Sequence, residues 1–169
     1  MQKKLVNMMK EAILMDLERC MQTLLPTVRY YEISILLGNT SVIKNDIIEP
    51  LKESLPKAPF SPLDLDYLEI DASQLFEKNI NRPQKQDGGL LVINNFTLFS
   101  KMFTIDEQIS TLLSILTTKG QYAPGCFGEL SSGWRILFIE DTTDKDKRWP
   151  ESCIPYFLNK GRIRKYWIG

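Results

Sequence analysis

The sequence contains no histidine. That removes every mechanism built on an imidazole base and every histidine-containing metal site. Its three cysteines, Cys20, Cys126 and Cys153, are far apart and odd in number. They match neither a zinc spacing nor a disulfide framework, so a reducing, cytoplasmic setting is expected. Neither charge is in excess, since 21 Lys and Arg balance 21 Asp and Glu. Strong nonspecific attraction to nucleic acid or acidic lipid is therefore not implied. No apolar run approaches the roughly 20 residues of a membrane-crossing helix, so no membrane partner is expected. Lys3 and Lys4 resemble the start of an export signal, but Lys10, Glu11, Asp16 and Glu18 interrupt any apolar stretch behind them. No signal is read there.

What is present is a chain of 169 residues, 43% apolar and 25% charged. That is enough for one domain with a substantial core. We read residues 1–169 as a single unit, an N-terminal helix within 1–28 followed by a core over 30–169. Leu5, Met9, Ala12, Ile13, Leu17, Cys20, Met21 and Leu24 recur at helical spacing. They predict an amphipathic helix over 5–25, stopped near Pro26. Its methionines suit a partner-binding face or, by default, core packing.

Strands are expected at 32–37, 66–71, 90–96, 134–141 and 162–169. The first is almost continuously apolar, as a strand covered on both faces would be. Between them, 44–55 reads as helical with Pro50 as a blemish, and "ASQLFEKN" as a helical turn. Thr104 and Glu107 form a capping box ahead of a helix bearing Ile105, Ile109, Leu112, Leu113 and Leu116. Residues 151–159 read as a short helix. "LPKAPFSPLD", "RPQKQDGG" and the glycine-rich 120–134 are connections. Strands alternating with helices predict an α/β fold, a three-layer α-β-α sandwich around a mostly parallel sheet.

The stretch "ILLGNTSVIKNDII" carries the first functional signal. A phosphate-binding loop has Gly, four free positions, Gly, Lys, then Ser or Thr. Gly38 and Lys44 fall at that spacing. Ile43 stands where the second glycine belongs and Asn45 where the magnesium-binding hydroxyl belongs. The loop wraps phosphate by turning successive backbone N–H groups inward, which a β-branched isoleucine obstructs. Gly38, Lys44 and Asn45 are thus the candidate residues of a degenerate nucleotide loop. A strand-turn-helix with a surface lysine is the plain alternative.

Over residues 30–169 the chain resembles the AAA family of P-loop ATPases at four points in order. These are "ILLGNTSVIKNDII", "LEIDASQLFEK", "GGLLVINNFTLF", which is similar to a Walker B strand, and "WRILFIEDTT" through "NKGRIRKYWIG". The last resembles the sensor-1 strand, a short helix and the final strand. The resemblance implies a P-loop NTPase-like fold with its chemistry removed. Asn94 and Asn95 occupy the two Walker B acid positions, and neutral amides neither hold magnesium nor polarise water well. The sensor position would fall near Glu140, Asp141 or Thr142. Arg162 and Arg164 lie near the family's arginine finger, and their spacing predicts that both point to one face of a strand. The family's helical lid does not follow Gly169.

The implied function is that of a catalytically inactive, pseudo-ATPase domain, a protein-binding or regulatory subunit. Its expected partner is another protein subunit, an active ATPase or a second copy. Lys160, Arg162 and Arg164 are the interaction candidates. No catalytic residue, cofactor or metal is expected. An alternative is an unconventional NTPase that binds ATP through Lys44 with Glu140 or Asp141, "ILFIED" then serving as the acidic strand. A third is an α/β interaction module in which the loop match is accidental. Glu140, Asp141, Asp144 and Asp146 also resemble a metal site, but Lys145, Lys147 and Arg148 among them favour a solvated loop. Lys160, Arg162, Arg164 and Lys165 form a weak footprint for nucleic acid.

Overall fold

A computed structural model describes residues 2–22, 32–56, 65–76, 89–116, 134–149 and 151–169. The expected helix stop at Pro26, most of the proline-rich and polar connections, the glycine-rich segment and Cys126 lie outside the described residues.

The chain opens with helix α1, Gln2–Gln22. Strand β1, Ile33–Gly38, is buried at every position, as its apolar run predicts. A continuous helical segment follows: α2 at Thr40–Ile43, a π turn at Lys44–Ile48, and α3 at Glu49–Ser54. Pro50 lacks the N–H that an α-helix would direct back one turn. The helix widens just ahead of it, where the Glu49 N–H bonds the Lys44 carbonyl.

Strand β2, Asp66–Asp71, leads into a 3-10 turn at Ala72–Phe76. Strand β3, Gly89–Asn94, is followed at once by α4, Phe96–Met102, which sequence periodicity does not announce. Helix α5, Ile105–Leu116, begins behind the expected capping box. Thr104 Oγ1 accepts from the Glu107 N–H at 3.2 Å, and Glu107 Oε1 accepts from the Thr104 hydroxyl at 2.8 Å. Strand β4, Trp134–Asp141, α6, Ile154–Asn159, and β5, Ile163–Ile168, complete the chain.

Among the described residues the strands form one five-stranded sheet in the order β2-β3-β4-β1-β5. All four pairings are parallel. This is the expected α/β class. Apolar residues cover both faces. On one, Phe96, Phe99, Leu112 and Phe157 from α4, α5 and α6 pack on Ile35, Ile93 and Phe138. On the other, Leu17 and Met21 of α1 join Ile43, Ile47 and Leu51 over Leu36, Val92 and Ile139. Among the described side chains of the first helix, the buried ones lie toward its C-terminal end. Leu17 and Met21 are enclosed, whereas Leu5, Met8, Met9 and Met15 are each more than half exposed.

Between α5 and α6 a polar clip closes one layer. Gln108 is fully buried. Its Nε2 donates to the carbonyls of Ser100 and Phe103 at 3.2 and 2.9 Å, and its Oε1 accepts from the Cys153 N–H at 2.9 Å.

Candidate functional site at the carboxyl ends of the strands

In an open parallel sheet, ligands settle beyond the carboxyl ends of the strands, where neighbouring strands send their connections in opposite directions. Here that point lies between β1 and β4. The chain leaves β1 toward β2 on one side and leaves β4 toward β5 on the other. Gly38 and Asp141 end these two strands in register, and the Thr142 N–H bonds the Gly38 carbonyl at 3.1 Å. The degenerate loop read in the sequence therefore starts at the sheet's natural ligand position.

Its backbone is not open. Helix α2 starts at Thr40, with Asn39 as its cap. Asn39 Oδ1 accepts from the N–H groups of Ser41 at 2.9 Å and Val42 at 3.3 Å. The Ile43 N–H bonds the Asn39 carbonyl at 2.9 Å, and the Lys44 N–H is taken by the carbonyls of Thr40 and Ser41. Four successive donors that a phosphate loop would turn inward are thus spent inside the helix. Ile43 is completely buried in the core beneath them. Gly38 has a reason of its own: a Cβ there would stand 2.0 Å from the carbonyl oxygen of Ile168 on β5. Asn45 falls in the π turn, exposed.

Lys44 reaches toward β2. Its Nζ lies 3.4 Å from Glu69 Oε1, and Asn94 Nδ2 donates to the same oxygen at 3.3 Å. Lys44 and Asn94 thus converge on one carboxylate. Sequence reasoning missed Glu69. Its only signal is an acid in the middle of a strand whose next residue is apolar. Asn95 has φ 74°, in the left-handed region that asparagine tolerates. Its Oδ1 caps α4 by accepting from the Leu98 N–H at 3.3 Å.

Glu140 faces the opposite layer and is buried. It accepts from the Thr97 N–H and hydroxyl, both at 2.7 Å, and pairs with Lys147 Nζ at 2.8 Å. Trp149 Nε1 donates to the same threonine hydroxyl at 3.2 Å. These bonds anchor the loop after β4 to the start of α4. Asp141, by contrast, is exposed. Asp144 and Asp146 belong to a self-bonded turn, in which Asp144 Oδ1 accepts from the Asp146 N–H at 3.0 Å. Among the described residues no group of three or more acids and cysteines is arranged to hold a metal.

The three basic candidates have different partners. Arg162 lies one residue ahead of β5, buried, with Nε donating to Glu32 Oε2 at 2.7 Å and its guanidinium over the Phe157 ring. Arg164 stands beside Asp16 of α1 at 3.4 Å and against the Tyr166 ring. Lys160 lies over Tyr156. Arg162 precedes β5 and Arg164 lies within it, and each meets a partner far away in sequence.

The two described cysteines offer no activated thiolate. Burial pushes the Cys153 thiol up to about 12. Burial also raises Cys20, partly offset by the charge and hydrogen bond of Arg135. Tyr166 is raised by burial and by its hydrogen bond to Asp16.

Comparison with protein-family models and with curated proteins finds no match to this chain. Among the described residues no helix is long and apolar enough to cross a membrane.

Proposed function

We propose that this chain is a P-loop-like, AAA-related domain without nucleotide hydrolysis, working in the cytoplasm as a protein-binding or regulatory subunit. One observation carries this: the N–H groups of Ser41 to Lys44 are all committed within α2 or to its cap. Phosphoryl transfer needs charge neutralisation and a positioned nucleophile. Asn94 and Asn95 bring no charge, and both are used in holding Glu69 and α4. Further support comes from the all-parallel sheet, which gathers the ends of β1, β3 and β4 along one edge.

The partner is another protein subunit, an active ATPase or a second copy. Service in a DNA-processing assembly follows only from analogy with helicase-loader and clamp-loader branches of the family. An arginine offered to a neighbour would be Arg164, whose side chain is 49% exposed, rather than Arg162, which is committed to Glu32. The competing reading is an NTPase using Lys44 with Glu140 or Asp141. With Glu140 it requires that carboxylate to leave Thr97 and Lys147; with Asp141, exposed at the end of β4, it predicts ATP binding that weakens in Asp141→Asn.

Steady-state turnover of ATP with magnesium tests the proposal. The expected result is no turnover above the buffer rate, unchanged in Lys44→Ala. Turnover that Lys44→Ala abolishes would overturn it.

A further inference from the structure

An open groove of 590 Å³ runs between α1 and the outer edge of β5. Its walls come from both faces of the strand, Arg164 and Tyr166 on one side and Lys165 and Trp167 on the other. The groove therefore wraps the strand's edge. Met9, Ala12, Ile13 and Met15 of α1 supply an apolar wall, and Met9 and Met15 are more than half exposed.

The backbone of β5 has a defined polarity at this edge. The Ile33 N–H bonds the Arg162 carbonyl, and Ile33 lies in register with Ile163. Backbone groups alternate sides along a strand. Arg162, Arg164 and Tyr166 therefore face β1, whereas Ile163, Lys165 and Trp167 present their N–H and C=O groups to the other edge, where no further strand lies among the described residues.

The charge of the groove is one-sided. Arg19, Lys145, Arg164 and Lys165 line it, against a single acid, Asp16. Asp16 already accepts from Tyr166 and Arg164. This concentration of cations lies on a chain whose net charge is zero.

The geometry points to an occupant: an extended segment of a partner protein, with acidic residues alternating with apolar ones, that adds as a strand to β5. Main-chain bonds to Ile163, Lys165 and Trp167 provide the pairing. One face of the segment rests on the methionine wall and its acids meet the cationic rim. A nucleic-acid strand fits the charge but leaves the apolar wall and the strand edge unused. This inference rests on the binding-subunit reading above and names its surface.

The test is an array of short synthetic peptides in which Glu or Asp alternates with Val, Leu, Ile or Met. Lysine-for-acid peptides and a short thymidine strand serve as the other arms, with affinities measured by fluorescence anisotropy. Acidic members are expected to bind and to lose about tenfold in affinity with Arg164→Glu. Lys165→Pro removes an outward N–H without costing a bond to β1, so it should weaken binding well beyond Lys165→Ala. Should Lys165→Pro fail to fold, alternate N-methylation of the best peptide gives the same information, since one of its two N-methylation registers must abolish binding. No acidic member binding, equal binding of the lysine peptides or the thymidine strand, or indifference to both backbone changes would overturn the inference. So would a dimer, seen by sedimentation, that Arg164→Glu dissociates. ATP turnover is assayed on the same preparations. Lys44-dependent turnover would defeat the binding-subunit reading, whereas loss of peptide binding alone defeats only this surface.

Discussion

Gly38 matches the first glycine of a phosphate-loop pattern in sequence, and its place in the sheet imposes a packing constraint. Its Cα lies so close to β5 that a methyl group would meet the Ile168 carbonyl at 2.0 Å. Gly38→Ala is therefore expected to cost on the order of 3 kcal/mol in urea unfolding, as strained or overpacked positions do. Wild-type stability in that variant would contradict the close approach. Lys44 should behave oppositely. Its pair with Glu69 is part-exposed on both sides, and such pairs contribute about 1 kcal/mol or less. Lys44→Ala should unfold within about 1 kcal/mol of wild type. The buried thiol sets a pH dependence. Cys153 is raised from an ordinary 9.0 to about 12 in the folded chain. Above pH 9 the unfolded chain releases this proton while the folded chain keeps it. Its contribution is thus complete below that pH and is lost progressively as pH rises toward 12. Unfolding measured from pH 8 upward should show this decline, with a smaller slope in Cys153→Ala. The raised Tyr166 acts in the same direction.

At the scale of elements, strands and one capping box were legible and partners were not. The expected 66–71 and 134–141 strands match β2 and β4 residue for residue; β4 is marked by the apolar run Ile136, Leu137, Phe138 and Ile139. The Thr104–Glu107 box is read directly from spacing and forms as expected. The start of α2 was misjudged by four residues. Asn39 is the cap, yet in the sequence it falls among the free positions of the phosphate-loop pattern, which obscured its ordinary capping role. The pairing of Arg162 with Glu32 spans 130 positions, and no local pattern encodes that. The same holds for Gln108, a polar residue on a helix face that turns out to bridge three elements. Gln108→Ala would leave the buried Cys153 N–H and two carbonyls without their partner. It is expected to cost about 2 kcal/mol, read as an earlier thermal transition; an unchanged transition would argue against the clip. Helix α1 divides into two parts by burial. Replacing the exposed Leu5 and Met8 with Ser should alter stability by no more than about 0.5 kcal/mol, as surface substitutions do.

At the scale of the whole molecule, strand order decides where a ligand would sit, and local bonding decides whether one can be held. The sheet brings Gly38, Asn94 and Asp141 to one edge, around the crevice between β1 and β4. Yet three polar side chains beside it are engaged by the chain itself. Asn39 caps α2, Asn95 caps α4, and Glu140 ties the loop after β4 to α4. The proposal that nucleotide chemistry is gone depends on this local closure, not on the fold. The open chemistry lies instead at the β5 edge, where a cationic rim and an apolar helix face remain exposed. The most direct measurement is an NMR titration of the backbone amides of Ser41, Val42, Ile43 and Lys44 with magnesium-ATP at millimolar concentration. We predict that these four resonances do not move. Saturable shifts confined to them would show an accessible phosphate site and contradict the central claim.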